Sequence, residues 1–125
     1  MSAYPRILLA VAGLSFAGLG VAFLIWPTEM VANVDIHATS ALARNDIRAV
    51  YGGLEVALGV ALLGAREPVA QGLAIRLLAL LFCGLVLSRV LSIVVDGAPA
   101  DPGALLLALE LSGLAATAVA FRKLR

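Results

Sequence analysis

Four apolar runs dominate the chain, at residues 7–26, 47–64, 73–95 and 104–121. Each is long enough, or nearly so, to cross about 30 Å of hydrocarbon at 1.5 Å of rise per residue. The breaks between them are short and built from helix-stopping residues. Pro27 ends the first run, "AREP" (residues 65–68) the second, and "DGAPADPG" (residues 96–103) the third. Lipid offers no hydrogen-bond partner to a peptide group, so runs of this kind fold as helices. The expected architecture is all-α, an integral membrane four-helix bundle forming one domain over residues 1–125. Composition agrees. Of the residues, 62% are hydrophobic and 14% charged, against about 45–50% and about 25% in soluble domains. A core this small cannot hide so much apolar surface, and the excess must face lipid. The second and fourth runs are short, which predicts helices close to the bilayer normal. The first run is too long for a signal-peptide core, and no small-residue cleavage site follows Trp26, so it reads as a retained span.

Orientation follows from the basic residues. Arg6, Arg66, Arg122, Lys123 and Arg125 fall on the side of the termini and the middle loop. The opposite side holds Arg44 and, at the start of the second span, Arg48. Both termini are therefore expected in the cytoplasm, and the chain in a cell inner (plasma) membrane as a multi-pass protein. Membrane lipid is the expected partner. A net charge of +1 leaves no basic face for nucleic acid. The single cysteine, Cys83, allows no intramolecular disulfide and no CxxC redox centre. The single histidine, His37, rules out haem held by two histidines of one chain. Glu29, Asp35, His37 and Asp46 are scattered over a loop of residues 27–46 without the spacing of a metal site. That loop is expected to hold at most an interfacial helix, with Asn45 or Asp46 capping the second span. No metal and no cofactor is called for.

The informative residues are the charges inside the spans, because an ionisable group in hydrocarbon is costly enough to need a reason. They are Arg48, Glu55, Arg76, Arg89 and Glu110, with Asp96 at the end of the third span. Arg76 lies near a boundary and is expected to snorkel to the headgroups. Glu55, Arg89 and Glu110 fall roughly 12, 9 and 9 Å below the same boundary at helical rise. Each shares a face with small or polar residues at helical spacing: Arg48, Gly52 and Gly59 with Glu55, Ser92 and Asp96 with Arg89, Gly113 and Thr117 with Glu110. Such stripes are expected to turn inward. Gly13, Ser15, Gly18 and Gly20 of the first span are expected to be packing residues. Two glutamates around one arginine leave a deficit of positive charge. Arg48 reaches down, one glutamate carries a proton, or a ligand completes the set.

Three readings follow. In the first, a polar cavity in the outer half binds a lipophilic or amphipathic small molecule through Arg48, Tyr51, Gly52, Glu55, Arg89, Ser92, Asp96 and Glu110. Arg89 anchors an anionic or carbonyl group, Tyr51 donates a hydrogen bond, and Glu55 and Glu110 are the acid–base candidates. In the second, the ion pairs serve helix assembly alone. In the third, they form a proton pathway. No reaction is assigned. Gly53, Ala57 and Ala61 form a small-residue row on the far face of the second span, which suits a second copy of the chain. A homo-oligomer is therefore a further partner class.

The stretches "NDIRAVYGGLEVALG" (residues 45–59), "LSRVLSIVVDGAP" (residues 87–99) and "LLALELSG" (residues 106–113) resemble a family of small bacterial membrane proteins of unknown function, grouped loosely with DoxX-like four-helix proteins. The resemblance covers most of the chain. It implies a four-helix membrane bundle and a shared signature of Arg48, Tyr51, Gly52, Gly53, Glu55, Arg89, Asp96, Gly97 and Glu110. It implies no activity. Some DoxX-like proteins look linked to quinone or thiol redox work, but this chain lacks the paired cysteines for it.

Overall fold

The computed structural model describes residues 3–124. Its elements are α1 (Tyr4–Ile25), α2 (Pro27–Ala32), α3 (Ala41–Ile47), a π-helical segment (Arg48–Gly53), α4 (Leu54–Gly64), α5 (Pro68–Asp96) and α6 (Gly103–Lys123). No strand occurs among the described residues. Four stretches are long and apolar enough to cross a membrane: Tyr4–Ile25, Ala41–Gly64, Pro68–Asp96 and Gly103–Lys123. The chain is a small multi-pass membrane protein.

The span ends differ from expectation in instructive ways. The second starts at Ala41, six residues upstream of the apolar run. Its N-cap is Ser40, in extended conformation at φ −105° and ψ 160°, with Oγ accepting the Ala43 N–H at 3.0 Å. Asn45 and Asp46 therefore lie inside the helix and do not cap it. Ser40 satisfies the first exposed donors, and "ALAR" propagates a helix well from there. At 24 residues this span is not short, so shortness no longer argues that it stands upright. The third starts at Pro68, where a fixed φ and a missing N–H suit a first helical turn. It runs 29 residues, about 43 Å, well beyond the hydrocarbon thickness. Gly97 ends it at φ 91°, a conformation glycine adopts without strain, and donates its N–H to Ile93 O at 3.0 Å.

Two compact units divide the chain. One is Leu9–Arg66, and the other joins the residues up to Leu8 with those from Glu67 onward.

In the Leu9–Arg66 unit, α1 and α4 run antiparallel with their backbones close together. Gly13 faces Leu63, Ala17 faces Gly59, and Gly20 faces Val56. A Cβ on Gly59 would stand 2.6 Å from both Ala17 N and Gly13 O, and one on Gly20 would stand 2.7 Å from Gly52 O. Only glycine allows that approach, so these positions set the packing distance. Gly13 and Gly20 thus pack as expected, but Gly18 faces open space and Ser15 is exposed. The segment between α1 and α4 is not a bare loop. Val31 of α2, Ala38 and Ile47 of α3 form a small apolar cluster flanked by Phe23 and Ala43.

In the other unit, α5 packs against α6. The buried stripe of α5 is Gln71, Ile75 and Leu78, that of α6 Glu110, Thr117 and Ala120. Gly113 sits under the Phe82 ring. Tyr4 joins this unit by donating its hydroxyl to Ala116 O at 3.2 Å, with Lys123 Nζ 5.7 Å from its ring centroid. The hydroxyls of Ser112 and Thr117 donate to the carbonyls of Leu109 and Leu114, each at 2.7 Å, which satisfies them without a partner helix.

A paired substitution tests the glycine contact. Gly59→Ala is expected to destabilise the protein by about 1–3 kcal/mol, because its Cβ meets backbone atoms that cannot step aside. Gly18→Ala, which meets nothing within 4 Å, is expected to be neutral or to stabilise by about 0.5–1 kcal/mol through helix propensity. Unfolding in mixed micelles followed by circular dichroism reads both.

Candidate functional site

The predicted site residues fall in both units. In the second span, Arg48, Tyr51 and Gly52 all lie within the π-helical segment "RAVYGG". The Leu54 N–H reaches back five residues to Ala49 O, which shows the widened turn directly. Such turns are rare inside helices and frequent at functional positions. The paired glycines favour it locally, since each weakens the α-helical preference. Sequence reasoning missed this feature. The apolar periodicity continues through it, and the only signal was Gly52–Gly53 beside an intramembrane arginine.

Three residues of the segment, Arg48, Tyr51 and Gly52, face α1. Arg48 Nε donates to Leu24 O at 2.9 Å. That carbonyl lies in the last turn of α1, beyond which Pro27 interrupts the ladder, and α1 has no basic residue of its own there. Arg48 thus caps α1 from a different helix, where a cation also suits the negative helix end. Tyr51 stacks on Phe23 with ring centroids 5.3 Å apart and planes at 32°. Gly52 is buried against Leu24. Glu55 follows one turn later and is half-buried. Its Oε2 is sealed from solvent and has no hydrogen-bond partner among the described residues. The row Gly53, Ala57 and Ala61 lies exposed.

The other unit contains the ion pair. Arg89 Nε donates to Glu110 Oε2 at 2.5 Å, with 34% of the arginine side chain exposed and 11% of the glutamate side chain. Glu110, Gly113 and Thr117 face α5 together, as their spacing predicts. Arg89 uses only Nε. Among the described residues its two terminal amino groups have no hydrogen-bond partner. Further along the same face of α5, Ser92 Oγ donates to Asp96 Oδ2 at 3.1 Å, and both residues are exposed. So the structure brings Arg89 to Glu110 and Ser92 to Asp96. Glu55 has no ion pair among the described residues.

Chemically, Arg89 is a cation held at one edge by Glu110. Arginine presents five N–H donors in a planar fork, and the Nε edge is taken here. The remaining Nη groups can still receive a carboxylate, phosphate or carbonyl oxygen. No three His, Cys, Asp or Glu side chains among the described residues are grouped to hold a metal. Cys83 is a free, exposed thiol.

A family model described as a domain of unknown function, DUF4345, matches residues 4–121. No curated protein matches the chain, and no solved structure does.

Removing one partner of the pair separates its two costs. Arg89→Gln leaves a buried carboxylate and is expected to destabilise the protein by about 3 kcal/mol, at the low end of the range for buried pairs because the arginine is one-third exposed. The double variant Arg89→Gln with Glu110→Gln is expected to recover most of that loss, since neither charge is then stranded. Denaturation midpoints of the three proteins in one detergent check this.

Proposed function

We propose, from the premise that the chain belongs to the DUF4345 family of domains of unknown function, that it binds an amphipathic molecule whose head carries acceptor oxygens, through the terminal amino groups of Arg89. One observation carries this reading. A buried glutamate fixes Arg89 by Nε, while a third of the arginine side chain stays open with its Nη groups uncommitted. The two Nη groups left outward can still receive the oxygens of a head group. Ser92 and Asp96 extend the polar stripe toward the end of α5. Glu55, with its unpartnered Oε2, lies in the other unit and is an acid–base candidate there by itself.

The setting proposed for this activity is a single four-span domain in a bacterial inner membrane. Both termini lie in the cytoplasm, and the α5–α6 turn lies outside. Arg6, Arg66, Arg122 and Lys123 against Arg44 and Arg48 support that direction. The kinship with DoxX-like proteins belongs to this proposal and rests on the three sequence stretches that suggested it.

A second reading has its own observation. Glu110 is only 8% exposed, which suits a pair that locks two helices in register. Arg89→Lys decides between them, because lysine keeps the charge opposite Glu110 and loses the fork. Lysophosphatidylglycerol, a single-chain phosphate amphiphile, is titrated into the full chain in non-ionic detergent, with bound lipid counted by native mass spectrometry. The binding reading expects saturable lipid on the wild type and about tenfold weaker binding in Arg89→Lys, equivalent to about 1.4 kcal/mol. Equal uptake by both proteins, with an unchanged melting temperature, leaves the assembly reading.

A further inference from the structure

The α5 stripe carries more than the arginine, and its charges do not sum to a site for a bare anion. Arg89 is already neutralised by Glu110. Asp96 adds a second carboxylate on the same face, exposed and paired with nothing stronger than the Ser92 hydroxyl. Arg89, Glu110 and Asp96 together therefore hold one negative charge in excess. Asp96 also stands at the wrong end of its helix for an anion. It is the last residue of α5, where the backbone carbonyls already make the field negative, and that last turn holds no basic residue. Asp96 and the helix end act together to attract a cation.

The two charges are ordered along the helix axis. Asp96 is at the tip of α5, at the level of the turn into α6. Arg89 lies seven residues deeper, about 10 Å along the axis. A molecule that fits both must place an anion toward the hydrocarbon and a cation toward the water. A phosphate esterified on one side to a lipid backbone and on the other to an amino alcohol has that order.

Resting on the reading that Arg89 receives the head of an amphipathic molecule, we propose that its ligand is a phospho-ammonium zwitterion, with phosphate oxygens on the Nη groups of Arg89 and the ammonium on Asp96. The Ser92 hydroxyl holds the Asp96 carboxylate toward it. A primary ammonium suits the site better than a quaternary one, because it donates hydrogen bonds to the carboxylate and the open carbonyls of the helix end.

Two lysophospholipids of equal chain length test this, one with an ethanolamine head and one with a glycerol head. Both are titrated into the full chain in detergent and read by native mass spectrometry. The wild type is expected to prefer ethanolamine about two- to fivefold, the range open to an ion pair at an exposed carboxylate. Asp96→Asn, at an exposed position that leaves the α5–α6 packing intact, is expected to erase that preference while both lipids still bind. Equal affinity for the two heads in the wild type, or a preference that survives in Asp96→Asn, overturns the proposal and leaves the Arg89 reading standing. Undiminished binding of both lipids by Arg89→Lys overturns the Arg89 reading with it. Free glycerophosphoethanolamine, added in excess, separates the sources. Displacement of the lipid assigns the site to a soluble zwitterion, and retention assigns it to a membrane lipid.

Discussion

The constraint behind most of this structure is the cost of a backbone carbonyl or amide left without a partner in hydrocarbon. It forces the apolar runs into helices, and it governs how each interruption is repaired. Ser40 caps one helix with its side-chain oxygen. Gly97 closes α5 by turning its N–H back to Ile93. Pro27 cannot donate, and the last turn of α1 receives the Arg48 guanidinium on Leu24 O. Several hydroxyls of the spans obey the same constraint. Ser112, Thr117 and Tyr4 all spend their hydroxyls on backbone carbonyls.

Close packing supplies the second layer of organisation. Lipid provides no hydrophobic drive between helices, so contact area must come from shape. Gly20 and Gly59 let α1 and its antiparallel neighbour approach until an added Cβ would strike backbone, while Gly13 and Gly52 sit against the side chains of Leu63 and Leu24. The π-helical segment lies at one end of that contact. It presents Arg48, Tyr51 and Gly52 to α1 at once, with the cap at Leu24, the ring contact at Phe23 and the close approach at Leu24. One widened turn thus couples the end of α1 to the helix that carries Glu55.

The spans and the polar faces were largely legible in the sequence. Apolar length is a local property, and a period of 3.6 places Glu110, Gly113 and Thr117 on one face whatever the neighbour is. Three features were not legible. The cap at Ser40 lay outside the apolar run that marked the span. The π turn leaves the hydropathy pattern intact and appears only as a change of hydrogen-bond partner from four residues back to five. The role of Arg48 was hidden because its partner is a carbonyl, and every residue has one.

Charge pairing shows the division most clearly. By itself the sequence determined that four helices are long and apolar enough to span a membrane, and that Glu55, Arg89 and Glu110 are too costly there to be incidental. Two carboxylates at nearly one depth were equal candidates for Arg89. Helical rise and rotation locate a residue on its own helix and say nothing about which helix stands opposite. The packing of α5 on α6 gave Arg89 to Glu110. The same packing decided which edge of the guanidinium was used and which was left open, because a side chain's rotamer and its free donors exist only once a neighbour is in place.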